Sequence, residues 1–337
     1  MIIIKNIFFI FTVIICIVIT FVYWQVKHIA NTPLTLQVKT IYTIPVGINC
    51  IKLIKQLETK HIIPHNIWFY QFLKLKLQWS KIKAGTYCLN SSMNINQLLN
   101  LFINGQEAQF SIRFVNGSCL KEWLKELRFA PYIKHTLTND PLSTISLMFK
   151  INENQLEGAF YPDTYFYTAN TSDIVLLKHA HIRMKKISDT IWHNRMKTLP
   201  YTKKEDMITI ASIIEKETSI NKERRIVSSV FVNRLYAGMK LQADSTVIYG
   251  MGNNYNGFLT HKDLQKTNNY NTYKIRGLPI GPIAMPSKES LEAAAHPETT
   301  NYFYFVANGK GGHTFSKNLT DHKKAIHLYQ LVIKKNK

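Results

Sequence analysis

The chain of 337 residues lacks most of the short motifs that mark a familiar chemistry. It contains no GxSxG nucleophile elbow, no Walker loop, no GxGxxG after a strand and no HExxH pair. Twelve histidines are present, but His313 and His322 are separated by a loop and have no third ligand at a usual spacing. The sequence therefore does not favour serine hydrolysis or nucleotide binding, and we expect neither a metal nor a cofactor.

Cysteine is scarce. Of the four cysteines, Cys16 lies inside a long apolar run, and Cys50, Cys88 and Cys119 show no CxxC or other metal-binding spacing. An odd number of cysteines outside the apolar run argues against a disulfide framework.

Acidic residues are also few, with 21 Asp and Glu against 42 Lys and Arg, so the formal net charge is +21. A surplus of this size can indicate an anionic partner such as nucleic acid, anionic lipid or an acidic polymer. The chain is also rich in Asn, Ile and Lys, which AT-biased coding alone would produce. Because the lysines are spread out and no RNA-binding signature occurs, we predict no nucleic-acid partner. The charge alone does not decide between a functional basic surface and the effect of AT-biased coding.

Charge is absent from residues 7–24 (IFFIFTVIICIVITFVYW), a run about long enough to cross a bilayer as a helix. Tyr23 and Trp24 would lie at its interface. The run continues into QVKH without small residues of a cleavage site, which favours an uncleaved anchor. Lys5 on one side and Lys27 with His28 on the other leave the orientation undecided.

The next segments have the patterns of a small α+β module. Residues 33–45 alternate like a strand, residues 47–62 have helical spacing, and residues 66–78 predict a second helix. A short strand in 81–89 and a helix in 94–106, capped by Asn94 or Asn96, complete it. A strand in 108–117, a helix in 118–130 and a polar loop at 138–142 follow, so we place a domain boundary near residue 110.

Beyond residue 151 the sequence becomes rich in Gly, Pro, Tyr, Asn and Asp. These residues supply turns and a polar, aromatic lining, which is the mixture that a sugar-binding groove needs. The segment GLPIGPIAMPS predicts a rigid irregular loop, which could be structural or could line a substrate. We expect the chemistry in this half of the chain.

The stretch ASIIEKET, residues 211–218, places two glutamates on one predicted helix, which Thr202 and Glu205 would begin as a capping box. Glu217 follows isoleucines at three, four and seven residues, whereas Glu215 follows Ser212 and Ala211. A carboxyl group over isoleucines loses solvation, which raises its pKa and suits it to donate a proton at neutral pH. The alternative is that Glu217 stands at the rim of the apolar face and reaches water.

Glu157, Asp163 and Asp244 are candidates for a second carboxylate, which a conventional glycosidase would need. Each also has a plain structural interpretation. Asp163 follows Pro162 as an ordinary turn residue, and Asp244 with Ser245 can cap a helix over residues 247–249.

Six segments, taken in order, resemble the motifs of the membrane-bound endolytic murein transglycosylases, the MltG or YceG-like family. They are LEGAFYPDTY, ASIIEKET, VFVNRL, LQADSTVIYG, YNTYKIRGLPIGPI and YFYFVANGKGGHTFS. Their order and spacing, the apolar run in front and the small module between them all agree with the family, so the resemblance covers essentially the whole chain.

The resemblance implies an α+β fold with a single transmembrane helix at 1–24, a LysM-like module at 25–110 and a YceG-like catalytic domain at 111–337. It implies an inner-membrane protein with its catalytic domain in the periplasm. The implied reaction cuts the bond between N-acetylmuramic acid and N-acetylglucosamine within nascent glycan strands without water, leaves 1,6-anhydro ends and terminates elongation. The implied partners are glycan strands, the inner membrane and the peptidoglycan synthases (penicillin-binding proteins).

The resemblance also implies roles for single residues. Glu217-Thr218 matches the pattern of a catalytic Glu followed by a small hydroxyl residue, whereas Glu215-Lys216 does not, so Glu217 is the predicted acid. Groove residues that bind sugars or hold the acid in place would be Glu157, Asp163, Asp244, Thr246, Tyr249, Asn271, Tyr273 and His313.

Two positions depart from the family pattern. Ser245 stands where members often carry Pro, and GPIAMPS lacks the Gly that often follows its last Pro. We expect both to change loop stiffness more than chemistry. Two other functions remain open at this point: a catalytically inactive peptidoglycan-binding scaffold, and a binder of nucleic acid or anionic lipid that uses the basic charge.

Overall fold

The computed structural model describes residues 2–66, 81–137 and 140–335. It is a mixed α+β structure that divides into two compact units. The first unit comprises Met1–Phe110 with Tyr167–Ala169, and the second comprises Ser111–Phe166 with Asn170–Lys337.

The first unit begins with helix α1 (Ile2–Asn31). Within it, Asn6–Asn31 is long and apolar enough to cross a membrane, with a mean hydropathy of 2.8, and its most apolar stretch is not buried inside the protein. The end of α1 packs against other described elements, through Val26, Ile29 and Ala30. The helix predicted for residues 7–24 is therefore present and has the length and composition of a membrane anchor.

Two strands and two helices make up most of the rest of the first unit in its described residues. Strands β1 (Thr40–Ile44) and β2 (Gly85–Leu89) pair antiparallel. Helices α2 (Cys50–Thr59) and α3 (Ile95–Asn104) present apolar residues at helical spacing to one core, which α1 also joins. The strand is shorter than the predicted 33–45, and most of the helix predicted at 66–78 lies outside the described residues.

Asn94 begins α3, as one of the two predicted caps. Its side chain accepts from Gln97 N at 2.9 Å, and Gln97 Oε1 accepts from Asn94 N at 2.9 Å. Both contacts satisfy backbone donors that a helix start leaves unpaired. The capping box explains why the helix begins at Ile95.

The second unit holds the remaining described elements, apart from Phe110 and Tyr167 at the ends of its first two strands. Strands β3 (Phe110–Arg113) and β4 (Thr164–Tyr167) form one two-stranded sheet, and β5 (Tyr304–Ala307) and β6 (His313–Ser316) form another, antiparallel one. The helices are α4 (Leu120–Phe129), α5 (Pro141–Phe149), α6 (Asp173–His193), α7 (Lys204–Glu217), α8 (Asn221–Tyr236), α9 (Asp244–Met251), α10 (His261–Gln265), α11 (Lys288–Ala295) and α12 (Leu319–Lys335).

Helix α7 is the central element of this unit. Its residues from Met207 to Ile214 are all buried, as α11, α8, α6 and α9 pack around it. A helix that is apolar on every side is stable only when neighbours cover it. Its buried Ser212 donates to Thr209 O at 2.7 Å and accepts from Ile283 N at 3.0 Å, so its hydroxyl is satisfied and also fixes the GLPIGPIAMPS loop.

The predicted capping box at Thr202 and Glu205 is wrong by one residue. Lys203 occupies the cap position, and Thr202 is exposed. The backbone of Lys203 instead donates to Asp206, three residues further on. Burial raises the pKa of Asp206, and this bond acts in the opposite direction. The acidic residue that reaches back is therefore Asp206, which shifts the start of the helix to Lys204.

Helix α5 begins inside the loop predicted at 138–142. Asp140 accepts from Ser143 N at 3.4 Å, and Pro141 takes the first helical position, where no backbone donor is needed. The polar residues that suggested a loop are in part a helix start.

Candidate active site

Glu217 is the last residue of α7. Ile210, Ile213 and Ile214 behind it are fully buried, as the apolar spacing predicts. Burial raises the pKa of the Glu217 carboxyl, and the negative charge of Asp244 raises it further. The Ser245 hydroxyl donates to Glu217 Oε1 at 2.7 Å, and this bond and the charge of His313 act in the opposite direction. Glu217 thus has the electrostatic character of an acid that keeps its proton.

The carboxyl group of Glu217 faces a pocket of about 480 Å³. Asp244 and Tyr273 line the same pocket, and the Tyr273 hydroxyl donates to Asp244 Oδ1 at 2.6 Å. Arg234 and His322 border it as well. Two carboxyl groups, basic side chains and aromatic side chains therefore line one pocket.

Asp244 does not cap its helix. The cap position of α9 is Ala243, which provides no side-chain bond, and Asp244 is the first helical residue. Its side chain is engaged by Tyr273 instead. Burial raises the pKa of Tyr273, and the bond to Asp244 raises it further, so the phenol remains a proton donor to the carboxylate.

Thr246 and Asn271 are fully buried. Thr246 donates to Ala243 O at 2.6 Å and contacts Thr272 Oγ1 at 2.9 Å. Asn271 donates to Lys266 O at 2.6 Å and accepts from Tyr273 N at 2.9 Å. The structure places both residues behind the pocket wall, where they hold the backbone of the wall rather than reaching into the predicted groove.

Glu157, Asp163 and Tyr249 are not among the described residues that line the Glu217 pocket. Both oxygens of Glu157 accept from Leu120 N at 3.0 Å, and Tyr249 shares a hydrogen bond with this carboxyl. Burial raises the pKa of Glu157 to about 7. Asp163 forms an ion pair with Arg183. These three side chains were predicted to lie in one groove with Glu217, but the structure does not place them in the Glu217 pocket.

His313 is fixed by Glu223. The backbone N of His313 donates to Glu223 Oε1 at 3.0 Å, and its ring Nδ1 lies 2.7 Å from Oε2. Burial works to raise the pKa of Glu223, but the hydrogen bonds and charge of His313 outweigh it and lower that pKa. A Cβ on Gly312 would approach Glu223 Oε1 to 2.6 Å, so a larger residue there would push against the carboxylate that holds His313. Thr218 donates to Glu223 Oε2 at 3.4 Å and connects this pair to the residue after Glu217.

Glu215 has a different environment. Its Oε2 accepts from Ser287 N at 2.9 Å, from Ser290 Oγ at 2.6 Å and from the Ser287 hydroxyl. Its Oε1 lies 3.4 Å from Arg224 Nη2, and the side chain is only 6% exposed. Glu215 therefore ties α7 to α8 and α11.

Sequence reasoning did not place Ser245, Glu223 and Arg234 in the site. Ser245 was noted as part of a possible helix cap and as a departure expected to affect loop stiffness, yet its hydroxyl contacts Glu217 directly. Glu223 and Arg234 lie on α8, in or near the motif VFVNRL, and this position is the one signal that could have drawn attention to them. Among the described residues, no group of three His, Cys, Asp or Glu side chains could hold a metal ion.

The fold and the pocket define an α+β protein with a buried carboxylic acid at the wall of a polar and aromatic pocket. The sequence profile of the YceG-like family matches residues 42–328. The chain therefore belongs to the YceG-like family.

Similar proteins with names and structures support this placement. The endolytic murein transglycosylase of Bacillus subtilis (strain 168) is 30% identical over 308 residues, which cover 85% of this chain and 83% of that protein. The endolytic murein transglycosylase of Streptococcus pneumoniae (strain ATCC BAA-255 / R6) is 26% identical over 84% of this chain and 57% of its own length. The crystal structure of a YceG-like protein from Listeria monocytogenes matches with a TM-score of 0.53 and 31% identity, over 85% of this chain and 98% of that one.

Proposed function

We propose that this chain is an endolytic murein transglycosylase, a lyase that cuts peptidoglycan glycan strands internally between N-acetylmuramic acid and N-acetylglucosamine. Membership of the YceG-like family and the names of the relatives from B. subtilis and S. pneumoniae support this function. The observation that carries it is Glu217, a carboxyl with a raised pKa at the wall of a pocket.

In the proposed reaction, Glu217 first donates its proton to the oxygen of the glycosidic bond as the bond from that oxygen to C1 of the muramic acid breaks. The carboxylate then accepts the proton of the C6 hydroxyl as O6 forms a bond to C1. The products are a free hydroxyl on one fragment and a 1,6-anhydro ring on the other. No water is consumed, and Glu217 is protonated at the end of the reaction as it was at the start.

The surroundings of Glu217 suit both steps. Burial and Asp244 favour the neutral acid before cleavage, and the Ser245 hydroxyl stabilises the carboxylate that exists between the two proton transfers. The negative charge of Asp244 also suits a transition state in which positive charge develops at C1. Tyr273, bonded to Asp244, fixes the orientation of that carboxylate.

A second candidate function is hydrolysis. Asp244 is a second carboxylate in the Glu217 pocket, and a retaining or inverting glycosidase uses such a pair. Its products would carry reducing ends instead of anhydro rings. A peptidoglycan-binding scaffold without catalysis is the third, and it predicts no products at all.

We further propose that α1 anchors the protein in the inner membrane and that the second unit acts in the periplasm. The first unit would be a LysM-like module that binds glycan. Anchored in this way, the enzyme would cut nascent strands beside peptidoglycan synthases and terminate their elongation. The length and composition of α1 support the anchor.

The test uses the full-length protein in detergent micelles with uncrosslinked glycan strands, and mass spectrometry of the products. We expect internal fragments that end in 1,6-anhydro-muramic acid from the wild type and from Glu205→Gln, a control at an exposed position of α7. We expect none from Glu217→Gln. Reducing ends would establish hydrolysis, and an inactive wild type would favour the scaffold.

A further inference from the structure

Helix α8 carries two buried arginines with different partners. Arg224 and Arg234 are each only 7% exposed. Arg224 forms an ion pair with Glu215 and a hydrogen bond with Asn221. Arg234 has no carboxylate within ion-pair distance among residues 2–66, 81–137 and 140–335. A buried guanidinium without a counter-charge is costly and needs an explanation.

Backbone carbonyl oxygens accept hydrogen bonds from some of the guanidinium donors of Arg234. Its Nε donates to Phe303 O at 2.6 Å, and its Nη1 donates to Leu241 O at 2.8 Å. These bonds fix the plane of the guanidinium between β5 and the segment before α9. A guanidinium has five donors, and the two on Nη2 have no partner in the described part of the chain. The group is held in place with donors to spare.

Arg234 lines the pocket that Glu217 faces. Around it are Lys323, His322 and the ring of Tyr304, which lies 5.2 Å from the guanidinium carbon. The Nδ1 atom of His322 is buried and also has no hydrogen-bond partner in the described residues. We call Arg234, His322 and Lys323 the basic end of the pocket.

We propose that the basic end is a carboxylate subsite, in which Arg234 Nη2 binds a carboxylate of the peptide attached to the muramic acid beside the cleaved bond. This inference rests on the proposed function. It makes Arg234 a specificity residue that selects strands carrying acidic stem peptides over strands without them.

The chemistry of the substrate favours this assignment. The sugars of the strand are neutral, and the muramic acid's own carboxyl is consumed in the amide bond to the peptide. The remaining anions near the cleaved bond are therefore the free carboxylates of the stem peptide. Arginine is well suited to them, because its planar donors form charge-assisted bonds with carboxylates. A bound carboxylate would supply the counter-charge that Arg234 lacks.

The first experiment changes the substrate and leaves the protein intact. Two sets of short glycan oligomers are prepared, one with free stem-peptide carboxylates and one with the same carboxylates converted to carboxamides. Full-length wild type is expected to show a KM about tenfold higher for the amidated set, equivalent to about 1.4 kcal/mol, with little change in kcat. Equal KM values for both sets would overturn the subsite while leaving the proposed function intact.

The second experiment locates the preference. Arg234→Gln removes the charge, and Arg234→Lys keeps the charge but not the planar donors, so we expect the first to lose the preference and the second to lose most of it. Arg225→Gln is the matched control, since Arg225 lies on the same helix, is exposed and donates to the carbonyl of His296 at 2.7 Å. It is expected to keep the full preference.

General attraction by the basic chain is the competing explanation, and salt separates the two. At about 1 M salt the Debye length falls to about 3 Å, so attraction at a distance is screened while a direct buried contact is affected less. A preference that disappears in high salt, or that Arg225→Gln also loses, would overturn the subsite. Failure of the wild type to cleave either substrate would instead overturn the proposed function.

Discussion

Glu215 and Glu217 are separated by one lysine on α7, but their surroundings are opposite. Glu215 accepts from two serines and pairs with Arg224. Glu217 accepts from one hydroxyl, lies against isoleucines and has Asp244 near it. The first environment stabilises a charge and connects helices, and the second disfavours a charge. The comparison teaches that the partners around a carboxylate, more than its position on the helix, decide whether it supports the fold or can act as an acid.

The largest effect is expected for Glu217→Gln. The glutamine fills nearly the same space but cannot transfer a proton, and positioned proton transfer contributes about 10²–10⁴-fold to a rate. We expect the rate of strand cleavage to fall by that factor while the melting temperature changes little. Retention of wild-type cleavage would break the comparison, because Glu217 would then not be the acid.

Glu215→Gln is expected to have the opposite profile. It leaves Arg224 buried without its counter-charge, and breaking a buried ion pair costs about 3–5 kcal/mol. Chemical denaturation should show this loss in the free energy of unfolding. The rate per folded molecule should remain near that of the wild type. A stable but inactive variant would mean that the roles of the two glutamates are exchanged.

Two neighbours of Glu217 should shift its pKa in opposite directions. Activity needs protonated Glu217, so it is lost as pH rises through that pKa. Ser245→Ala removes a bond that lowers the pKa, so the alkaline limb of the pH–rate profile should move to higher pH. Asp244→Asn removes a charge that raises the pKa, so the limb should move downward. Shifts of the same sign in both variants would contradict the assigned electrostatics.

The smallest effect concerns Glu157, a carboxyl whose pKa burial raises to about 7 although it lies outside the Glu217 pocket. Because the folded state holds this proton more tightly than the unfolded chain, stability should fall as pH rises from the ordinary pKa of 4.5 toward 7 and level off above it. Glu157→Gln should flatten this part of the stability curve by at most about 1 kcal/mol per pH unit, measured by urea denaturation. If Glu157→Gln still cleaves strands at the wild-type rate, a raised pKa alone does not make a carboxyl catalytic, and a place in the Glu217 pocket is also required.

Local patterns predicted much of the fold. Apolar spacing predicted α1, α2, α3 and α7, and the isoleucines at three, four and seven residues before Glu217 predicted its apolar surroundings. The helix caps were less predictable. Asn94, one of two predicted candidates, caps α3, whereas Thr202 does not cap α7. Whether a helix begins at one residue or at the next depends on the backbone conformation there. Both starting points fit the apolar pattern of the sequence almost equally well, so the pattern does not identify the cap.

The partners within the site could not be predicted, because they are distant in sequence. Ser245 lies 28 residues from Glu217, Glu223 lies 90 from His313, and Arg234 binds a carbonyl 69 residues away. No periodicity reports such contacts. The motifs supplied the candidate residues, and the fold places several of them, such as Asn271, behind the pocket wall.

The place where α7 ends has a further consequence. Glu217 is its last helical residue, and the carbonyl groups of the final turn point toward that end. Their aligned dipoles give a helix a partial negative charge at its C-terminus, which disfavours an anion there by about 0.3–1 kcal/mol. The position of Glu217 at the C-terminal end of the helix thus adds electrostatic repulsion to the loss of solvation, and both disfavour its charged form. The same side chain at the first turn of α7 would experience an attractive field and would release its proton more readily.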